Sequence, residues 1–153
     1  MARKRLIALV VAGVVVFVLV TTVLARVLSG DPAEHSAVTA LIQDEARGNA
    51  GAMLAAMDGC SSDAACHARV IADAADLKRS GSVSILQYQQ STGFSLTTTN
   101  GIGRVAWEVV DHTLPIVQCV RVRRAGNVIS GIHVDLLDIT TQIKSGANCP
   151  KTF

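Results

Sequence analysis

The sequence predicts an α+β fold class: one N-terminal transmembrane helix, followed by three helices packed on a curved antiparallel sheet. Three observations carry this reading. Residues 6–25 form a run without a charge, apolar residues recur at helical spacing over 31–81, and the period changes to two from Ser82 onward.

The uncharged run follows Arg3, Lys4 and Arg5. At about 1.5 Å of rise per helical residue it reaches about 30 Å, the hydrocarbon thickness of a bilayer. Basic residues ahead of a first apolar segment stay cytoplasmic, which predicts a single pass with the C-terminal part outside. A cleaved signal peptide competes with this reading, because Val23-Leu24-Ala25 suits a cleavage site. Its apolar core is usually about 7 to 15 residues, shorter than this run. The expected organisation is a basic cytoplasmic stub over 1–5, a transmembrane signal anchor over 6–25, a linker over 26–31, an extracytoplasmic domain over 32–139 and a C-terminal tail over 140–153.

The chain carries 14 basic and 12 acidic residues, and Arg3, Lys4, Arg5 and Arg26 precede the domain. What remains is close to neutral, so it presents no nucleic-acid footprint. The mean hydropathy of +0.40 owes much to the N-terminal run. Cys60, Cys66, Cys119 and Cys149 all follow that run. An even number in an oxidising compartment implies two disulfides, with three connectivities open. Cys60 with Cys66 and Cys119 with Cys149 is the favoured pairing, because the first closes a short turn and the second ties the tail to a strand. Those loops would stabilise the fold by roughly 2.4 and 3.7 kcal/mol. A metal site seeded by Cys66-His67 is the alternative, but the cysteine spacing fits neither zinc nor haem attachment.

Asp31-Pro32-Ala33-Glu34 has the composition of a helix start: a capping carboxylate, a proline at the first turn and an acid facing the dipole. Ala37, Val38, Leu41, Ile42 and Ala46 then form one apolar stripe, which is read as free of ionisable residues, and Gly48 ends the helix. A second helix is predicted over 50–57, with Met53, Leu54 and Met57 inward. A third starts near Ser62 and carries Cys66, Val70, Ala74 and Leu77. Strands follow over 82–89, 94–99, 104–110, 116–124 and 128–139, with turns over 91–93, 100–101 and 125–127. Short turns make this an antiparallel meander. In the last hairpin a three-residue loop would set Val120 opposite Ile132 and Ile116 opposite Leu136, with Gln118 on the buried face.

Three helices followed by a curled meander resemble the nuclear transport factor 2-like (cone-shaped α+β) family. The segments that carry the resemblance are ALIQDEARGNAGAMLAAM, RVAWEVV, LPIVQCVRVRR and VISGIHVDLLDI, within 31–139. With its anchor, the chain is similar to mammalian-cell-entry-associated membrane proteins of bacteria and to single-pass assembly components of type IV secretion channels. The resemblance implies a bacterial cell membrane location, a contact with the lipid bilayer, a protein partner in the envelope and an open sheet able to form a homodimer.

Proton-transfer relatives of that family use Asp, His or Tyr in the cone, and no such residue carries over here. Asp111 and His112 are neighbours that point to opposite faces of a strand. His133 and Asp135 share a face and can pair on the surface. Trp107, Met53 and Met57 read as core. No catalytic, cofactor-binding or metal-binding residue is assigned, and no cofactor. Arg121, Arg123 and Arg124 concentrate charge beside Gly126 and are candidates for partner contact; the competing role is to keep an edge soluble. Gln118 is the candidate polar group of a pocket, or the satisfier of a backbone group.

The leading functional expectation is a single-pass extracytoplasmic interaction or scaffold module, an accessory subunit of a cell-envelope complex rather than an enzyme. The alternatives are a binding protein for a small apolar ligand in the cone, or an isomerase or dehydratase. The side chains lining the cavity separate these readings, and a buried ionisable group would favour chemistry.

Overall fold

The computed structural model describes residues 2–28, 30–91, 98–110, 114–127 and 131–153. Among the described residues, four helices precede four strands: α1 (Ala2–Leu28), α2 (Gly30–Arg47), α3 (Ala50–Ala56), α4 (Ala64–Asp76), β1 (Val83–Gln89), β2 (Thr99–Val109), β3 (Ile116–Asn127) and β4 (Gly131–Ile139). The predicted linker is displaced by structure, since Gly30 and Asp31 already belong to α2. Ser29 lies outside the described residues.

Local chemistry sets the breaks between the helices. Gly48 takes a left-handed φ of 72°, which ends α2. The Asn49 side chain then accepts from Ala52 N at 3.1 Å to open α3. Asp63 opens α4 by accepting from Ala65 N at 2.9 Å and Cys66 N at 3.0 Å. The stripe Cys66, Val70, Ala74 and Leu77 is buried as its spacing predicts.

The sheet is antiparallel with the order β1-β2-β3-β4. Among the described residues it is open: β1 and β4 are its two edges, and it is not curled or closed into a cone. The expected cone is therefore corrected. α2 packs against β1, β3 and β4. The fully buried Leu41, Ile42, Met53, Val70, Trp107 and Ile139 form the centre of that core. Burying each such side chain stabilises the fold by about 1.5 to 3 kcal/mol.

Strand positions are corrected in two places. Asn100 and Gly101 sit inside β2 instead of forming a turn, and 94–97 of the expected strand 94–99 lie outside the described residues. Residues 125–127 continue β3, so Val120 pairs with Ile139 and Val122 with Leu136. The slip at Leu136 is an even step, which leaves the core face of β3 unchanged; a bulge between Arg121 and Val122 then turns Ile139 inward.

Among the described residues, no helix is long and apolar enough to cross a membrane. The helix α1 takes Arg3, Lys4, Arg5 and Arg26 into its own span rather than beginning and ending between them. The transmembrane anchor is corrected because no described helix is long and apolar enough to cross a membrane. The bilayer contact, the single-pass topology and the envelope-scaffold role that depended on it are corrected too.

Candidate functional site

The two faces of the sheet differ in what they bury. On the inner face Val105, Trp107, Gln118, Val120 and Val122 lie under the helices. The outer face pairs Ile102 with Arg121 and Arg104 with Cys119 across β2 and β3. Part of the C-terminal tail crosses this outer face.

The tail leaves β4 with Thr140 N donating to Cys119 O at 2.9 Å, and Ile143 N then donates to Val117 O at 2.8 Å. Arg104 Nη2 donates to Ser145 O farther along. The Cys119–Cys149 disulfide fixes the tail covalently, with Cα atoms 5.7 Å apart. At its end Arg121 Nη2 donates to Phe153 O at 3.1 Å, and the guanidinium carbon lies 4.6 Å from the Phe153 ring centroid.

This crossing leaves a surface hollow of about 510 Å³ lined by Asn100, Gly101, Ile102, Arg121 and Lys151. Ile102 gives it an apolar side chain, beside Asn100 and Gly101. Among the described residues its two charged groups, Arg121 and Lys151, are both cationic, and no carboxylate lines it. A second hollow of about 320 Å³, at Gln43, Ala46, Arg47, Arg79 and 81–83, has its cations engaged locally. Arg47 pairs with Asp44 at 2.7 Å, and Arg79 Nη1 donates to Asp76 O at 2.9 Å and Lys78 O at 2.8 Å.

The three arginines singled out in sequence are separated by the fold. Arg121 reaches the outer hollow. Arg123 pairs with Asp58 at 2.5 Å and with Asp135 at 2.8 Å. Arg124 turns to the inner face, where Nε donates to the fully buried Glu34 at 2.6 Å and Nη1 pairs with Asp31 at 2.7 Å. His133 lies 3.8 Å from Asp135. Asp111 and His112 lie outside the described residues. The disulfides are Cys60–Cys66 and Cys119–Cys149, the pairing favoured in sequence.

Sequence reasoning missed two buried acids on α2. Glu34 accepts from the Tyr88 hydroxyl, from Ser91 N and Oγ at 2.8 Å each, and from Arg124. Burial alone would raise its pKa, but these donors together hold it below the ordinary value. Glu45 has one donor, Gln118 Nε2 at 2.7 Å, and its other oxygen lacks a partner. Burial, only partly opposed by Gln118 and reinforced by Asp73, pushes its pKa up to about 8. Gln118 also accepts from Trp107 Nε1 at 2.8 Å and donates to Thr140 O at 3.1 Å, so it is the centre of a buried network.

Among the described residues there is no group of three or more His, Cys, Asp and Glu that could hold a metal. Glu45 and Tyr88 are packed into the protein and do not line either hollow, so their protons are not presented to a ligand at those sites. Comparison with family models, with curated proteins and with solved structures finds no match to the chain. The expected membership of the nuclear transport factor 2-like family is corrected on both counts, since neither the cone nor a relative supports it.

Proposed function

We propose that the chain is a binding module rather than an enzyme, and that its ligand is a small organic anion with a short apolar portion. The observation that carries this reading is the outer hollow, where Arg121 and Lys151 share the lining with the apolar side chain of Ile102. Its volume of about 510 Å³ is of the size that takes small molecules. On the inner face Trp107 and Gln118 are fully buried, whereas the outer hollow is open to solvent, which favours the outer face for a ligand.

The chemistry of the lining selects the ligand class. A guanidinium offers several N–H donors, one of which is held by Phe153 O, and a carboxylate can take others in a charge-assisted bond. The ammonium of Lys151 adds a second positive charge without fixed directionality. Ile102 gives the hydrocarbon part a surface to leave water against.

Octanoate is a suitable probe. Titration followed by backbone amide shifts is expected to move Gly101, Ile102 and Arg121, and Arg121→Gln or Lys151→Gln is expected to weaken binding by about tenfold. Shifts confined to the helices, or binding by both variants equal to that of the parent chain, would remove this reading.

A further inference from the structure

We propose that the Cys119–Cys149 disulfide is a thiol-operated clasp on the outer hollow, so that a dithiol reductant switches ligand binding off. This rests on the binding reading above. Lys151, a wall of the hollow, and Phe153, which holds Arg121, both lie just beyond Cys149 in the chain. Beyond Ile143 the other described ties of the tail to the sheet are the Arg104 bond to Ser145 O and the contacts of Arg121 with Phe153. Those ties are hydrogen bonds and a cation over a ring, made at the protein surface. The disulfide alone is covalent.

Accessibility separates the two disulfides. Cys60 is 1 % exposed, Cys66 4 % and Cys119 0 %, whereas Cys149 is half-buried. Access governs which sulfur a thiolate attacks, and Cys149 is the more exposed residue of the pair, which makes it the point of attack for an external dithiol in this proposal. Its first thiolate bonds to the Cys149 sulfur as the bond to Cys119 breaks, and Cys119 leaves as a thiolate that takes up a proton. The second thiol of the reductant then attacks its own sulfur in the mixed disulfide. The reductant is released as a cyclic disulfide and Cys149 as a thiol. Two electrons and two protons have passed to the chain, which now has a tail free beyond Ile143. Lys151 and Phe153 lose their fixed place, and Arg121 loses the ring that orients it.

The test treats the full chain with dithiothreitol and reads four things: which cysteines iodoacetamide labels first, octanoate affinity, tryptic cleavage after Lys144 and Lys151, and Trp107 fluorescence. Labelling of Cys119 and Cys149 ahead of Cys60 and Cys66 is expected, with octanoate binding weakened at least about tenfold, faster tail cleavage and unchanged Trp107 emission. The Cys149→Ser variant is expected to behave as the reduced chain. The double variant Cys60→Ser with Cys66→Ser is expected to bind octanoate normally and to remain reducible. Absence of octanoate binding in the oxidised chain removes the binding reading and this inference with it. Normal binding that persists after the clasp opens overturns the switch alone, and labelling of Cys60 and Cys66 first overturns the assignment of the clasp.

Discussion

Gln118 Nε2 donates to Glu45 Oε1 at 2.7 Å, and both side chains are fully buried between α2 and β3. Among the described residues Glu45 keeps a second oxygen without a partner, so burial acts on its charge with only Gln118 in opposition. An acid held at about 8, from an ordinary value of 4.5, retains in the folded state a proton that the unfolded chain has lost.

That difference makes stability fall as pH rises. The contribution of the protonated acid is complete below the unfolded pKa near 4.5 and is lost as pH climbs through about 8. The loss amounts to roughly 3 to 5 kcal/mol. Asp73, buried on α4 and pushed up to about 6 from 3.8, adds a smaller fall at lower pH. Glu45→Gln keeps the acceptor for Gln118 and removes the charge. Urea unfolding followed by Trp107 fluorescence is expected to show the variant within about 1 kcal/mol of the parent near pH 5, and more stable by roughly 3 to 5 kcal/mol near pH 9. A parent whose stability is flat over that interval would contradict the protonated state.

The same network makes Gln118 costly to replace. Gln118→Leu leaves the Trp107 N–H and the Glu45 carboxyl buried without their partner, a loss of about 2 to 4 kcal/mol. Part of that loss depends on the indole. In a Trp107→Phe background the donor is already gone, so the cost of Gln118→Leu is expected to drop by about 1 kcal/mol, measured by circular dichroism in a double-mutant cycle. Additive losses would show that the indole bond has no energetic role.

Much of the helical half was legible because glycines, caps and apolar spacing all act locally. Gly48 ends α2, and Cys66, Val70 and Ala74 are buried on α4. The acids of α2 escaped for a different reason. Glu34, Val38, Leu41, Ile42 and Glu45 follow one helical stripe, so the spacing that buries the apolar members buries the acids too. Residue type overrode position in that reading, although each acid meets its donor only through distant chain: Arg124 and Tyr88 for Glu34, Gln118 for Glu45. The outer hollow was even less legible. Lys151 comes beside Ile102 through a disulfide and a tail path with no periodic signature. In the sheet, Asn100-Gly101 has turn composition but is held in β2 by pairing with Arg123 and Val122, a non-local term that overrides turn chemistry.

Neighbouring arginines on β3 are expected to behave oppositely. Arg124→Ala strands Glu34 as a buried charge that keeps only Tyr88 and Ser91, and is expected to destabilise by about 3 to 5 kcal/mol. Arg123→Ala removes pairs with Asp58 and Asp135 that water and salt already screen, so its effect is expected to be much smaller and to shrink further in high salt. Urea unfolding of both variants at low and high sodium chloride checks this. Equal losses, or an Arg124→Ala loss that vanishes in salt, would place Glu34 in contact with solvent.

Gly81 and Gly59 both occupy positive φ, at 134° and 78°, but only one is crowded. A Cβ at Gly81 would lie 2.6 Å from the Val109 Cγ1, whereas at Gly59 it would meet nothing within 4 Å. Val109 is a buried residue of β2, so its methyl group has no free space to retreat into. Gly59→Ala is therefore expected to show backbone strain alone, about 1 to 2 kcal/mol. Gly81→Ala adds overpacking of about 1 to 3 kcal/mol to its own backbone strain. The two contributions separate in a Val109→Ala background, where the clashing methyl is absent. There the cost of Gly81→Ala is expected to fall by about 1 to 3 kcal/mol, while that of Gly59→Ala stays the same. Thermal unfolding of the single and double variants measures both, and an unchanged Gly81→Ala cost would assign the whole effect to the backbone.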